Sequence, residues 1–355
     1  PGLIMRAEYA PYTLLFKNKA VTSRDTLTER HTYYIRVWDD AEERFGIGEC
    51  ALFRGLGDDD RPDYEDILKE TCRHISKATS IDEIDVPPLT SLRFGVETAI
   101  AGIVSGDPFH PYPSTWSEGR SEIAINGLIW MGSAEEMLSR IDEKLHNGFR
   151  CVKLKIGGID FDEELRLLSY IRNRFTPDRL ELRLDANGAF TPANAMSRLE
   201  KLSQYAIHSI EQPIRQQQWE EMARICRESP IPVALDEELI GCMDHRRKEE
   251  LLATIRPQYI ILKPSLCGGF RSADEWIDVA RKHDIGWWAT SALESDIGLN
   301  AIAQWVSTKD TTMPQGLGTG KLYINNIHSP LMQVRDVLCY NPEGKWILPQ
   351  LQWRS

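Results

Sequence analysis

The sequence predicts an α/β protein, a (β/α) barrel carrying an α+β capping domain, on three observations. From about residue 121 short apolar strand candidates alternate with amphipathic helical stretches, and there are eight such strands. Before that point the order differs, with strands first and helices after. At 355 residues the chain is long enough for a large barrel and a second unit.

In the first unit, Tyr9–Lys17, His31–Trp38 and Arg44–Cys50 alternate or are β-rich, with Asp39-Asp40 as a turn between the last two. Asp63–Lys77 and Leu92–Val104 carry apolar residues at helical spacing, punctuated by Pro87-Pro88. The barrel strands fall at Glu122–Trp130, Cys151–Ile156, Leu180–Asp185, His208–Glu211, Pro232–Asp236, Tyr259–Lys263, Gly286–Ser291 and near Gln315–Leu317. Ala134–His146, Asp162–Arg174, Pro192–Tyr205, Trp219–Arg227 and Arg271–His283 supply helices between them. A doubly wound open sheet would want a GxGxxG after its first strand, and none is there. The expected division is a capping domain at 1–120, completed by 324–355, and a barrel at 121–323.

Composition narrows the function classes. Charged residues are 27% of the chain and the formal charge is −11, with acids and bases interleaved and no basic stripe, which argues against nucleic acid. No apolar run reaches the ~18 residues of a membrane helix, so no membrane partner is expected. Seven scattered cysteines without CxxC or CxxH spacing read as free thiols in a reducing, cytoplasmic setting. A homo-oligomer is compatible with all of this.

The chemistry lies in where ionisable residues fall. Lys155 ends CVKLK, Asp185 ends LELRLD, Glu211 ends HSIE, Asp236 ends PVALD and Lys263 ends YIILK. They are separated by 30, 26, 25 and 27 residues, about one strand–helix unit each. Five side chains therefore sit on consecutive strands at one rim, where such barrels place catalysis. Taken singly, each acid would serve as a helix N-cap and each lysine as an exposed strand residue. Packing alone does not explain all five at the same point of five units. Three carboxylates flanked by lysines suit a hard divalent cation, Mg²⁺ or alternatively Mn²⁺, with positions left for substrate. Lys153 shares a face with Lys155, and its charge would disfavour a second ammonium beside it. Arg183 shares a face with Asp185 and is expected as its buried partner.

The series KLK, DANG, EQP, LDEEL and LKPSLCGG resembles the enolase superfamily, in the muconate-cycloisomerase-like branch with lysines on both sides of the metal. The resemblance implies that Asp185, Glu211 and Asp236 bind Mg²⁺, that Lys155 is the acid/base, and that Lys263 faces it, with Lys153 as electrostatic tuner. It implies substrate contacts at Asn187, Gly268, Gly269, Thr290, Ser291 and Gly316, with Arg24 or Arg54 of the capping loops meeting a second carboxylate. GIGECALFRGLG resembles a capping loop closing over substrate, and ATSALESDIG and PQGLGTG resemble the seventh- and eighth-strand segments of o-succinylbenzoate synthases. One departure is Thr290-Ser291-Ala292, where that family suggests three serines.

The resemblance thus implies a small-molecule carboxylate substrate and proton abstraction alpha to its carboxylate. The reaction implied is syn-dehydration of 2-succinyl-6-hydroxy-2,4-cyclohexadiene-1-carboxylate to 2-succinylbenzoate, in menaquinone biosynthesis. N-acylamino acid racemase and dipeptide epimerase are the alternatives in the same branch. Gly318-Thr319-Gly320 offers no acid to hold an α-ammonium, which favours a substrate without an amino group.

Overall fold

A computed structural model describes residues 5–22 and 25–355. Strands β1 (Met5–Val21), β2 (Thr26–Asp39) and β3 (Arg44–Cys50) form an antiparallel sheet in that order, with the β1–β2 register shifting between Leu15 and Ala20. Helices α1 (Tyr64–Ile75) and α2 (Thr90–Ser105) cover one face. The apolar sides meet in a core that includes Met5, Ile35, Val37, Leu68, Ile75, Leu92 and Val96. Helix α2 lies so near β3 that a Cβ on Gly46 would come within 1.6 Å of the Ala99 carbonyl oxygen, and one on Gly48 within 1.9 Å of that of Gly95. The glycines of the GIG run are therefore what lets this helix dock.

The second unit begins with β4 (Ile123–Ala124) and β5 (Gly127–Ile129), then α3 (Ala134–His146) and β6 (Cys151–Lys155). Next come α4 (Phe161–Arg174), β7 (Glu181–Asp185), α5 (Ala195–Leu202), β8 (Ile207–Glu211), α6 (Trp219–Glu228) and β9 (Val233–Leu235). The alternation continues through α7 (His245–Ile255), β10 (Tyr259–Leu262), α8 (Pro264–Cys267), α9 (Phe270–Lys282), β11 (Gly286–Ala289) and α10 (Asp296–Ser307). Strands β5 to β11 form one parallel sheet of seven in sequence order.

The eighth stave is shorter than the sequence suggests. Gln315 and Gly316 make only isolated parallel bridges, to Ile125 on one side and Thr290 on the other. Those bridges join the two edges of the sheet, and the Gln315 side chain adds a bond from the Ala289 N–H at 2.7 Å. Alternation puts Leu154, Leu184, Ile210 and Leu262 against the outer helices. Inside, Trp288, Ala234 and Ile261 cluster with Tyr259 and Met313.

The segment after Ile324 divides its contacts. The Ile324 N–H donates to the Leu15 carbonyl and Arg354 bridges Tyr9, both on β1, while β12 (Leu331–Val334) and β13 (Val337–Tyr340) form a hairpin paired to β4. Among the described residues, no helix is long and apolar enough to cross a membrane.

Candidate active site

Strand ends build the site. Lys155, Asp185 and Glu211 are register partners on β6, β7 and β8, so they stand side by side at one rim. Asp236 follows β9 and Lys263 follows β10. All three carboxylates are buried, as are Lys153 and Lys155. Lys155 Nζ donates to Asp185 Oδ2 at 2.8 Å and Lys263 Nζ to Asp236 Oδ2 at 2.6 Å. Lys153 Nζ lies 3.1 Å from Glu211 Oε2, but that oxygen has no partner in hydrogen-bond geometry.

The charges disturb one another as their burial requires. Burial alone would raise the Asp185 carboxyl, but Lys155 and Lys153 outweigh it and hold it well below the usual carboxylate range. Glu211 is pushed up to about 7, by burial first and then by Asp185. Burial also works against the Lys263 ammonium. Asp236, followed by Glu237, Glu211 and Asp185, overcomes that and raises Lys263 above the ordinary lysine value.

Neighbouring groups fix these side chains. The Asn187 N–H donates to Asp185 Oδ1, its Oδ1 accepts from Lys155 at 3.3 Å, and its Nδ2 donates to Glu237 Oε1 at 3.0 Å. This is done at φ +47°, in the left-handed region that asparagine tolerates. Gln212 Oε1 accepts from the N–H groups of Asp236 and Glu238, which sets the turn after β9. The Trp130 ring centroid is 5.5 Å from Lys155 Nζ.

A cleft opens over the rim and is lined by Lys153, Lys155, Lys263, Asn187, Thr290, Ser291 and Gly316. Phe53, Leu56, Thr22 and Leu27 of the first unit also line it. Trp130, Asn126 and Thr319 line the cleft as well; Asn126 and Trp130 carry no charge and lie in no quoted motif, and Thr319 lies in PQGLGTG without being singled out as a substrate contact.

Four expectations need correction or limits. Gly268 and Gly269 do not line this cleft. They end α8 at φ +100° and +93°, and a Cβ on Gly269 would sit 2.3 Å from Glu97 Oε2. Glu97 reaches across from α2 to accept the Phe270 N–H, so the pair serves docking of the two units. Arg183 shares the interior face with Asp185 yet serves the layer below: it donates to Glu181 and to the Pro314 carbonyl and lies 4.3 Å over Trp288. Arg54 pairs with Asp60 on the surface. Arg24 lies outside the described residues. Ser291 lines the cleft, but its hydroxyl already donates to Glu294 and accepts the Leu293 N–H.

As they stand, no three His, Cys, Asp or Glu side chains among the described residues gather closely enough to share an ion; each of the three acids is turned to a lysine. Their chemistry nevertheless fits a hard cation. All are oxygen donors on consecutive staves, and one buried oxygen, Glu211 Oε2, lacks a hydrogen bond.

Comparison with known proteins agrees with this architecture. The family model described as "Enolase C-terminal domain-like" matches residues 136–336. The chain belongs to the enolase superfamily. It is 45% identical to an o-succinylbenzoate synthase of Desulfotalea psychrophila, covering 92% of this chain and 96% of the relative, which places it in that family of the superfamily. The crystal structure of MenC from Desulfotalea psychrophila superposes with a TM-score of 0.83 at 41% identity, covering 94% of this chain and 99% of that one. A dipeptide epimerase of Cytophaga hutchinsonii, solved with Mg and D-Ala-L-Val, superposes at TM-score 0.85 over 99% of both chains, but at 18% identity it shows the superfamily fold alone.

Proposed function

We infer that the protein is an o-succinylbenzoate synthase, a carbon–oxygen lyase of menaquinone biosynthesis. It dehydrates 2-succinyl-6-hydroxy-2,4-cyclohexadiene-1-carboxylate to 2-succinylbenzoate. The observation that carries the reaction is that Lys155 and Lys263, from the second and sixth of eight staves, line one cleft from opposite sides.

Asp185, Glu211 and Asp236 would hold Mg²⁺, which when bound supplies Lewis-acid stabilisation for the negative charge developing on the substrate carboxylate. Neutral Lys155 removes the ring proton alpha to that carboxylate, and the electron pair moves into an enediolate. The Lys155 ammonium then gives the same proton to the hydroxyl leaving from the same face. Water departs, the ring becomes aromatic and Lys155 is neutral again. Lys263 stays an ammonium throughout and meets the ring's opposite face as a cation–π partner. Asn187 and Asp185 aim Lys155, and Lys153 pairs with Glu211 beside it. Phe53 and Leu56 belong to a cap, formed by the first unit, that keeps water from the enediolate.

The test is turnover by the purified, Mg²⁺-loaded protein, followed as loss of the conjugated diene and as product mass. Dehydration should exceed racemisation of an N-succinylamino acid in kcat/KM. Faster racemisation would make the protein an isomerase of the same branch.

A further inference from the structure

One wall of the cleft takes no part in the chemistry above. Asn126 Oδ1, Thr290 Oγ1 and Thr319 Oγ1 are buried and have no hydrogen-bond partner, and all three residues line the same cleft as the lysines. Their residues are 3%, 7% and 3% exposed. Buried polar atoms without partners are uncommon in folded proteins, so three on one wall point to a ligand group that completes them. Ser291, next to Thr290, does not share this property because Glu294 and the Leu293 N–H already satisfy it.

Position says which part of a ligand this wall meets. Asn126 precedes the first stave, Thr290 follows the seventh and Thr319 follows the eighth. Glu211 ends the fourth stave, which lies across the barrel from the eighth. A ligand whose ring carboxylate lies toward Asp185, Glu211 and Asp236, with its ring between Lys155 and Lys263, sends its substituent toward the neutral wall. The cations among the described lining residues are Lys153, Lys155 and Lys263, each engaged with one of those acids. The Asn126 amide nitrogen donates to the Gly127 carbonyl at 3.3 Å, so its unpartnered atom is an acceptor. A neutral amide acceptor can take an N–H or O–H, and the two threonine hydroxyls can donate to a carboxylate or carboxamide oxygen, so the wall can meet either tail end without a charge of its own.

We propose that Asn126, Thr290 and Thr319 form a neutral site for the end of the substrate's acyl tail, one that reads hydrogen bonding rather than negative charge. The site takes a short acyl chain ending in a carboxylate or in a carboxamide. This rests on the functional reading above, and it adds Asn126 and Thr319 as specificity-determining residues.

The experiment is calorimetric titration of the Mg²⁺-loaded protein with three product-like ligands, alongside turnover of the parent. The ligands are 2-succinylbenzoate, its tail carboxamide, and 2-butanoylbenzoate, which lacks a polar tail end. The carboxamide should bind within about threefold of the carboxylate, and the butanoyl ligand about tenfold or more weaker. Asn126→Asp puts a like charge beside the carboxylate tail; it should weaken that ligand by about tenfold or more and leave the carboxamide within about threefold. Thr319→Val should weaken both polar tails and spare the butanoyl ligand. A carboxamide as weak as the butanoyl compound would overturn the proposal. So would an Asn126→Asp variant that weakens all three equally, because the asparagine would then serve only the fold. Failure of the parent to turn over the cyclohexadiene carboxylate would instead overturn the functional reading.

Discussion

Lys155 and Asp185 are direct register partners on neighbouring parallel strands, and Lys155 Nζ donates to Asp185 Oδ2 at 2.8 Å. One carboxylate thus serves two roles in our account, as an aim for the base and as a ligand for Mg²⁺.

The first prediction concerns that metal. Chelation should abolish dehydration and added Mg²⁺ restore it. Asp236→Asn should weaken Mg²⁺ binding by at least about tenfold in calorimetry while the thermal melt stays cooperative. Unchanged Mg²⁺ affinity in that variant would remove Asp236 from the ligand set.

Much of this site was legible because charge at the end of an apolar strand is conspicuous, and five such ends at one repeat spacing name a rim. Arg183 shows where parity stops. A strand's alternation gives the face but not the layer, and two residues below Asp185 the interior belongs to Trp288 and Pro314. Ser291 and Thr290 look alike in sequence. Only the fold brings Glu294 to one and leaves the other unpartnered. The resemblance assigns Gly268-Gly269 to substrate, yet the neighbour that this turn meets is Glu97, 171 positions earlier than Gly268 and on the other unit. The eighth stave was weakly marked because its two bridging residues are held from both sides rather than by a ladder of their own.

A second prediction tests the link between the two units. Buried Arg30 donates to the carbonyls of Ala51, Leu52 and Ala292 and lies 4.8 Å over Phe53, tying the loop that carries Phe53 and Leu56 to the barrel. Arg30→Met keeps the stem but leaves those carbonyls unmatched. It should cost about 2–4 kcal/mol in denaturant unfolding and raise KM more than it lowers kcat. A stability within about 0.5 kcal/mol of the parent would refute the role.

A third prediction concerns pH. Asp296 opens α10, and burial pushes its carboxyl up to about 7 against the opposing hydrogen bonds of Ser329 and Asn326. An acid raised on folding binds its proton more tightly in the native state. The stability it allows is therefore fully present below about pH 4 and declines as pH rises toward 7. Asp296→Asn removes this term, so variant and parent melts compared at pH 5 and pH 8 should diverge in the variant's favour at the higher pH. The divergence is bounded at about 4 kcal/mol. A difference independent of pH would contradict the assignment.

The most direct test of the central claim is the kcat for the cyclohexadiene carboxylate in Lys155→Arg and Lys263→Arg. Guanidinium keeps the charge and does not give up its proton at working pH. If Lys155 carries the proton and Lys263 supplies only charge, Lys263→Arg retains measurable dehydration and Lys155→Arg falls by at least about 10⁴-fold, to background. Equal loss in both variants, with racemisation of an N-succinylamino acid by the parent, would contradict the account and require proton transfer at both lysines.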